Sequence, residues 1–388
     1  MRGHITQRSK KAGTWSIKIS LGKDQQTGKY KYQWFTVQGS KKDAERRLSE
    51  LLYQLDTGAY VRPSRTTIAD YLTRWLVDYV KPNLSPRTTE GYEHIIKRYI
   101  IPKLGNFTLV YLKPEHLQSF YSDEIKAGLS NQTIRHHHMV IHKALENAVV
   151  NGLVLRNVAD AVKPPRAQHP EMQTWNEDEV VQFLEAAKST PYYALFYLAL
   201  FTGMRRSEML ALRWRDIDLI LGQIYVNRSL HVLKGSKTVF RQPKTVTGKR
   251  SIALPPSALL MLIEYRKKKE VEVLLLSVPL SDNDLVFSTL GKHLLPNTIT
   301  HAWGKLVKKT RLKAIRLHDA RHTHASLMLK QGIHPKIVQE RLGHSSIQIT
   351  LDTYSHVAPG LQEAAAYRFD EAFIPKYNKQ ENKLVISD

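Results

Sequence analysis

The stretch Tyr192-Tyr-Ala-Leu-Phe-Tyr-Leu-Ala-Leu-Phe-Thr-Gly-Met-Arg205 decides the fold of this chain. Its apolar and aromatic residues from Tyr192 to Phe201 predict a buried helix. The run is about half the length of a membrane span, so it indicates a protein core and not an anchor. Gly203 predicts a break after this helix. The break would present Arg205 at the end of a buried element, where a guanidinium can be held in one place.

Around this helix, residues 170–388 predict a mainly helical domain with a small antiparallel sheet. Asn176 and Glu179, three residues apart, have the pattern that caps a helix start. Strands are predicted where short stretches alternate, near residues 223–227, 238–241 and 250–254. From about residue 297 onward the pattern is again mostly helical.

The preceding part of the chain predicts an all-helical domain over residues 66–165, followed by a linker rich in proline. Ser85-Pro86 predicts a helix start, and Pro102 and Gly105 are expected to stop that helix. Another helix is predicted from Ser130 to about residue 151.

Residues 1–62 predict a small module of β-sheet plus one helix. The stretches that begin at Trp15 and Tyr30 alternate as strands do, and Ser40 with Asp43 predicts the start of the helix. The fold class is therefore α+β and multidomain. Basic residues of the first two domains are predicted to contact DNA: Lys18, Lys29, Lys31, Arg87 and Arg135. An ordinary solvated face is the alternative for these residues.

The charge of the chain predicts a polyanionic partner. Its 388 residues carry a net charge of +23 with a pI near 9.9, and the excess is spread as +9, +4 and +10 over residues 1–65, 66–168 and 169–388. An excess of this size over folded segments favours nucleic acid. The absence of cysteine excludes disulfides, cysteine-ligated zinc and a cysteine nucleophile. The N-terminus has no hydrophobic segment, so we expect no signal peptide, no membrane partner and a cytoplasmic location.

Four clusters in residues 170–388 could carry chemistry. They are Thr202-Gly-Met-Arg205-x-x-Glu208, Pro243-Lys-Thr245, Leu317-His-Asp-Ala-Arg-His-Thr323, and Leu342-Gly-His-Ser-Ser through to Asp352-Thr-Tyr354. Each alone is a weak signal, since surface arginines, a solvated basic hairpin or a core tyrosine would look the same.

A zinc site is the alternative for the third cluster, because His318 and His322 are four residues apart. The HExxH motif needs a glutamate after its first histidine, and Asp319 stands there instead. We therefore predict no metal and no cofactor.

Taken in this order, the clusters contain the groups needed to attack a phosphodiester without metal. Two guanidiniums can hold the non-bridging oxygens as charge builds in the transition state. An ammonium can donate to the leaving 5′ oxygen, and imidazoles can relay a proton. A tyrosine can form a covalent intermediate once it is activated, because its free pKa is about 10.

At these residues the chain resembles the tyrosine recombinase family, and closely the integrases of temperate phages and integrative conjugative elements. The resemblance implies a 3′-phosphotyrosine on Tyr354, a phosphate held by Arg205 and Arg321, acid/base work by His318 and a phosphate contact from His344. Lys244 would protonate the 5′ leaving oxygen. Two further lysines of the same hairpin, Lys237 and Lys249, remain alternatives for that step.

The resemblance also implies a separate role for each domain. Residues 1–62 are similar to an arm-type DNA-binding domain, residues 66–165 to a core-site DNA-binding domain, and residues 170–388 to a catalytic domain with a C-terminal tail. The implied partners are double-stranded attachment sites, a tetramer on DNA, and an excision factor or a host DNA-bending protein. Two alternative functions remain open: a type IB topoisomerase that relaxes DNA, and a catalytically silent DNA-binding regulator.

Overall fold

A computed structural model describes most of the chain. The described residues are 3–7, 13–23, 27–57, 65–167, 172–233, 235, 237–243, 248–275, 277, 279–289, 291–354, 366–367 and 369–370. The chain divides into two compact units, residues 1–169 and 170–388. The predicted fold class is confirmed, with helices dominating and the sheets small and antiparallel. The finer division into three domains stays a prediction.

The N-terminal module is a three-stranded antiparallel sheet covered by one helix. Its elements are β1 (Gly3–Gln7), β2 (Thr14–Lys23), β3 (Tyr30–Gln38) and α1 (Lys41–Asp56). Ser40 and Asp43 form the predicted capping box at the start of α1. The small core of this module contains Ile17, Ile19 and Leu51. The sequence pattern missed β1, which lies at the edge of the sheet and pairs with β2 alone.

The rest of the first unit is helical, as predicted. Its helices are α2 (Ile68–Trp75), α3 (Lys81–Asn83), α4 (Pro86–Ile95), α5 (Ile101–Leu104), α6 (Pro114–Lys126) and α7 (Asn131–Val150). These helices share a single apolar core that is separate from that of the N-terminal module. Two 3₁₀ turns, Leu109–Tyr111 and Val158–Ala161, complete it.

The prediction that Pro102 and Gly105 stop the helix that starts at Ser85-Pro86 is confirmed for Gly105, which caps its end, and wrong for Pro102. The chain continues from α4 through the π-helical turn Ile96–Ile100 into α5, which contains Pro102 and ends at Leu104. A proline has no N–H to donate, and widening the preceding turn lets the helix pass it. The turn Leu76–Val80 does the same before Pro82.

The second unit begins with α8 (Glu177–Ala187), capped by Asn176 and Glu179 as predicted, and α9 (Tyr193–Thr202). Six more helices follow: α10 (Arg206–Met209), α11 (Pro256–Leu274), α12 (Pro296–Thr310), α13 (Asp319–Lys330), α14 (Pro335–Leu342) and α15 (Ile347–Tyr354). Most of helix α9 is buried, and the face that carries Tyr193, Tyr197 and Phe201 is half-buried, which explains its uniform apolar sequence. No helix among the described residues is long and apolar enough to cross a bilayer.

The strands of the second unit are short. They are β4 (Ile217–Asp218), β5 (Gln223–Val226), β6 (Ser229–Val232), β7 (Thr238–Arg241), β8 (Arg250–Ala253), β9 (Ser288–Thr289) and β10 (Lys292–His293). They pair antiparallel as β4-β5-β8, β6-β7 and β9-β10. The three predicted strands are confirmed as β5, β7 and β8, whereas β4, β6, β9 and β10 were not predicted.

Candidate active site

The turn after α9 requires a glycine. Gly203 has φ +64°, and a Cβ there would lie 2.6 Å from Leu342 Cδ2 and 2.9 Å from His324 Cδ2. Both the backbone conformation and the packing therefore exclude a larger residue. Two residues later, Arg205 is extended (φ −68°, ψ 145°) and caps the start of α10. The predicted presentation of Arg205 at the end of a buried element is thus the local geometry of the chain.

Arg205 is held by a buried carboxylate. Its Nη1 donates to Glu208 Oε1 at 2.8 Å and its backbone N–H to Glu208 Oε2 at 2.9 Å, while Nη2 donates to the Gly343 carbonyl at 3.3 Å. The Glu208 side chain is 6% exposed and that of Arg205 is 38% exposed. The guanidinium is therefore anchored at its base and open to solvent at its outer side.

Arg321 is buried on the first turn of α13. Its Nη1 donates to the Gly203 carbonyl at 2.9 Å and its Nη2 to the Leu342 carbonyl at 2.7 Å. The carbonyls that receive Arg321 and Arg205 belong to adjacent residues, Leu342 and Gly343, at the C-terminus of α14. This end of a helix carries partial negative charge, so it attracts both cations to one place. The structure thus brings Arg205 and Arg321 together at this end of α14.

Three histidines lie around the two arginines. Burial lowers the pKa of His318, and the charge of Arg321 lowers it further. His322 packs edge-on against His318, with ring centres 5.2 Å apart, and burial lowers its pKa to about 4. Burial, with Arg321 and Arg205, also lowers the pKa of His344 to about 4. Their lowered pKa values therefore favour the uncharged form of these imidazoles at neutral pH.

The neutral ring of His344 is oriented by a buried threonine. His344 Nδ1 lies 2.9 Å from Thr350 Oγ1, and Thr350 is fully buried on α15. When the hydroxyl donates to Nδ1, the ring proton resides on Nε2. From there Nε2–H can donate a hydrogen bond to a phosphate oxygen. The backbone of His344 is also tied down, because Gln339 Nε2 donates to its carbonyl at 2.8 Å.

The structure describes less of the two remaining predicted catalytic residues, Tyr354 and Lys244. Tyr354 is the last residue of α15, the helix that carries Thr350. Lys244 lies outside the described residues. Its alternatives are described, with Lys237 just before β7 and Lys249 just before β8. The identity of the lysine that protonates the leaving oxygen stays a prediction.

The predicted DNA contacts of the N-terminal sheet lie on both of its faces. Lys18 is in register with Trp34, and its Nζ is 3.9 Å from the centre of the Tyr32 ring. This face is open, with Tyr30, Tyr32 and Trp34 about half exposed. Lys31 alternates with these aromatic residues on β3 and so belongs to the other face of the strand.

The other predicted DNA contacts are exposed to solvent. Lys29 precedes β3, and Arg135 lies on α7. The Arg87 side chain is 72% exposed and its Nη1 lies 3.6 Å from Glu90 Oε2. All three can reach a partner without a change in the core.

The histidines do not form a metal cluster within the described ranges. No group of three or more histidine, cysteine or acidic residues there is arranged to hold an ion. Asp319, which replaces the glutamate of the zinc motif, instead accepts two bonds from the Arg316 guanidinium, at 2.9 and 3.0 Å.

Three residues that support the site received no role from the sequence: Glu208, which stands in the first cluster, Arg250 and Thr350. Glu208 was detectable, because its spacing of three from Arg205 is that of a helix cap. Arg250 had no sequence signal, since its partner Glu208 is 42 residues away. Thr350 had none either, because a lone threonine on a helix is usually a solvated residue.

We expect the second unit to lose stability as the pH falls below about 6.5. His324 is buried: its Nδ1 donates to the Leu200 carbonyl, its Nε2 accepts from Arg341 Nε, and burial lowers its pKa from 6.5 to about 3. The unfolded chain takes up this proton near pH 6.5, whereas the folded chain does not until about pH 3. The stabilisation is thus complete above pH 6.5 and is lost below it, by up to about 1.4 kcal/mol per pH unit for such a histidine.

Thermal melts between pH 7.5 and 4.5 test this dependence. His324→Gln should be less stable at pH 7.5 but should show a shallower fall with decreasing pH. An equal slope for the variant and the natural chain would contradict the assignment to His324.

Comparison with known protein families gives two matches. Residues 173–360 match the Phage integrase family, and residues 67–125 match the phage integrase N-terminal SAM-like domain. The first match contains every residue of the site described above. The second lies within the helical part of the first unit.

Similar proteins cover nearly the whole chain. The tyrosine recombinase XerC-like protein of Caldanaerobacter subterraneus subsp. tengcongensis is 28% identical, over 93% of this chain and 96% of its own. The ICEBs1 integrase of Bacillus subtilis is also 28% identical, over 92% and 97%.

Solved structures share the fold. The Tn1549 transposon integrase in complex with transposon right-end DNA superimposes with a TM-score of 0.67 at 20% identity, over 79% of this chain and 99% of its own. A lambda integrase tetramer bound to a Holliday junction gives a TM-score of 0.57 at 18% identity, over 90% and 94%.

Proposed function

Because the chain belongs to the phage integrase family of tyrosine recombinases, we propose that it is a site-specific recombinase that integrates and excises a mobile element. One observation carries the proposal. The guanidiniums of Arg205 and Arg321 converge on the adjacent carbonyls of Leu342 and Gly343, directly before His344. This places two cations and an uncharged imidazole at one point, where a phosphate would be held.

In the proposed reaction, the Tyr354 oxygen attacks the scissile phosphorus and loses its proton, with His318 as the acid/base. The bond from phosphorus to the 5′ oxygen breaks, and Lys244 donates a proton to that oxygen. Arg205, Arg321 and His344 stabilise the charge on the non-bridging oxygens. The phosphotyrosine keeps the energy of the phosphodiester, so a 5′-hydroxyl of another strand can attack it and restore Tyr354. No step uses a metal ion or a nucleotide.

A nicked core-site duplex, taken from the junctions between the element and its host, tests this reaction. Because of the nick, cleavage releases a short strand that carries the 5′-hydroxyl, so religation is prevented and the covalent protein–DNA adduct is trapped. We expect the adduct to form in EDTA. A catalytically silent regulator would bind the duplex without an adduct. A type IB topoisomerase would form the adduct but no Holliday junction between two sites, whereas the recombinase should form both.

We propose three domains with separate DNA sites. Residues 170–388 carry out catalysis, residues 66–165 bind the core site through contacts that include Arg87 and Arg135, and residues 1–62 bind an arm site. The support for an arm domain is its separate core, its net charge of +9 over residues 1–65, and its open face with Lys18 beside aromatic rings.

Removal of residues 1–62 should therefore leave core-site binding and adduct formation intact but reduce integration of an element by at least about tenfold, because the arm contacts are lost. A plasmid integration assay measures this loss, and adduct formation by the same truncated protein is its control. Integration at the full rate would show that the module is dispensable.

The proposed assembly is a tetramer that acts on DNA in the cytoplasm of a bacterial host cell. It would be assisted by an excision factor or a host DNA-bending protein. The C-terminal tail after Tyr354, which we expect to act between subunits, lies mostly outside the described residues.

A further inference from the structure

A buried carboxylate lies between two arginines in the second unit. Glu208 Oε2 accepts from Arg250 Nη2 at 2.8 Å, and its Oε1 accepts from Arg250 Nη1 at 3.2 Å and from Arg205 Nη1 at 2.8 Å. The Arg250 and Glu208 side chains are each 6% exposed, whereas Arg205 is 38% exposed. Arg250 thus faces the protein interior and Arg205 faces the site.

The charges of this group explain why two arginines are needed. A lone pair of Glu208 and Arg205 would be neutral, and the carboxylate would compete with phosphate for the Arg205 guanidinium. When Arg250 binds both carboxylate oxygens, the group of Glu208, Arg250 and Arg205 has a net charge of +1. This positive charge is available to the site through the Arg205 guanidinium. Bidentate arginine–carboxylate geometry is the arrangement that best satisfies a buried carboxylate.

Arg250 also reaches the end of α14. Its Nε donates to the Arg341 carbonyl at 2.8 Å. The three successive carbonyls of residues 341, 342 and 343 therefore receive Arg250, Arg321 and Arg205 in turn. These contacts connect β8 to the turn that precedes His344.

We propose that Arg250 is a positioning residue for Arg205: it neutralises Glu208, so that Glu208 orients the Arg205 guanidinium without taking up its charge, which stays available to the scissile phosphate. The inference deepens the proposed function and rests on it. Arg250 itself does not touch the DNA and acts on the phosphate through Glu208 and Arg205.

The test compares adduct formation on the nicked core-site duplex with that on the same duplex carrying a methylphosphonate at the scissile position. The methylphosphonate lacks one anionic oxygen, so a missing positive charge matters less. Arg250→Met should form the adduct roughly 10²-fold more slowly on phosphate but within about threefold of the natural chain on methylphosphonate. Half-site binding should be unchanged.

A second variant isolates the charge of Glu208. If Arg250 acts by neutralising this carboxylate, then removing the charge should restore function in its absence. The double variant Glu208→Gln with Arg250→Met should form the adduct at least about tenfold faster than Arg250→Met alone. A role limited to holding the fold together predicts the opposite, because the double variant has lost more hydrogen bonds.

A matched control comes from another arginine pair of the same domain. Arg213 binds both oxygens of Asp216, at 2.9 and 3.0 Å, and its side chain is 15% exposed. Arg213→Met should lose stability, and whatever it loses in rate should be equal on the two substrates. The comparison with Arg250→Met distinguishes a rate loss caused by weaker packing from one caused by weaker stabilisation of the phosphate charge.

Equal defects of Arg250→Met on both substrates, together with no recovery in the double variant, would overturn the positioning role while leaving the recombinase intact. If Arg250→Met does not fold, Arg250→Lys replaces it, and its smaller defect must also shrink on methylphosphonate. A natural chain that forms no adduct at all would overturn the proposed function and this inference with it.

Discussion

Tyr354→Phe is expected to abolish covalent adduct formation while leaving DNA binding close to that of the natural chain. The substitution removes only the phenolic oxygen, so the ring remains and nothing is left to attack the phosphorus. Tyr354 ends α15, the helix whose buried Thr350 contacts His344. The substitution should therefore abolish DNA cleavage and change the stability of the fold only slightly.

Two measurements check this expectation on one substrate. Gel-shift titration of the nicked core-site duplex gives the binding affinity, and denaturing electrophoresis detects the adduct. Tyr367→Phe serves as a matched control, because it removes a phenolic oxygen from an exposed tyrosine that has no role in the proposed chemistry. If Tyr354→Phe still trapped the duplex covalently, another residue would be the nucleophile.

Arg205→Ala and Arg321→Ala should each slow adduct formation by roughly 10²–10³-fold, the usual cost of losing a fixed charge that stabilises the transition state. The two variants should differ in stability. Arg321 is 3% exposed and bonds two carbonyls, so its removal also leaves the Gly203 and Leu342 carbonyls without their donor. Arg205 is partly exposed, and Glu208 keeps its Arg250 partner when Arg205 is gone.

Single-turnover rates at saturating protein separate chemistry from binding, and thermal melts record the difference in stability. The neighbouring Arg206 provides the control, since its guanidinium bonds Pro296 and Thr300 on α12 and not the residues of the site. Arg206→Ala should slow the reaction far less than Arg205→Ala. Similar losses in both variants would mean that general positive charge, and not the fixed position of Arg205, drives cleavage.

Much of the fold could be predicted from the sequence because its signals are local. The capping pairs at Ser40 and Asn176 act over three residues, and both are in place. The apolar run of α9 indicates a buried helix whatever surrounds it, and Gly203 ends that helix where expected. The error at Pro102 arose because the widened turn before it depends on how the whole helix packs, which one proline does not reveal.

The sequence by itself determined which residue types are available to attack a phosphodiester, since the order of arginine, lysine, histidine and tyrosine motifs can be read along the chain. Only the tertiary structure decided how they are held. The bond from Arg321 to Gly203 spans 118 residues and that from Arg205 to Gly343 spans 138. Arg250 joins the site through a buried carboxylate 42 residues away. Such contacts leave no local pattern, because each joins groups that lie far apart in the sequence and that only folding brings together.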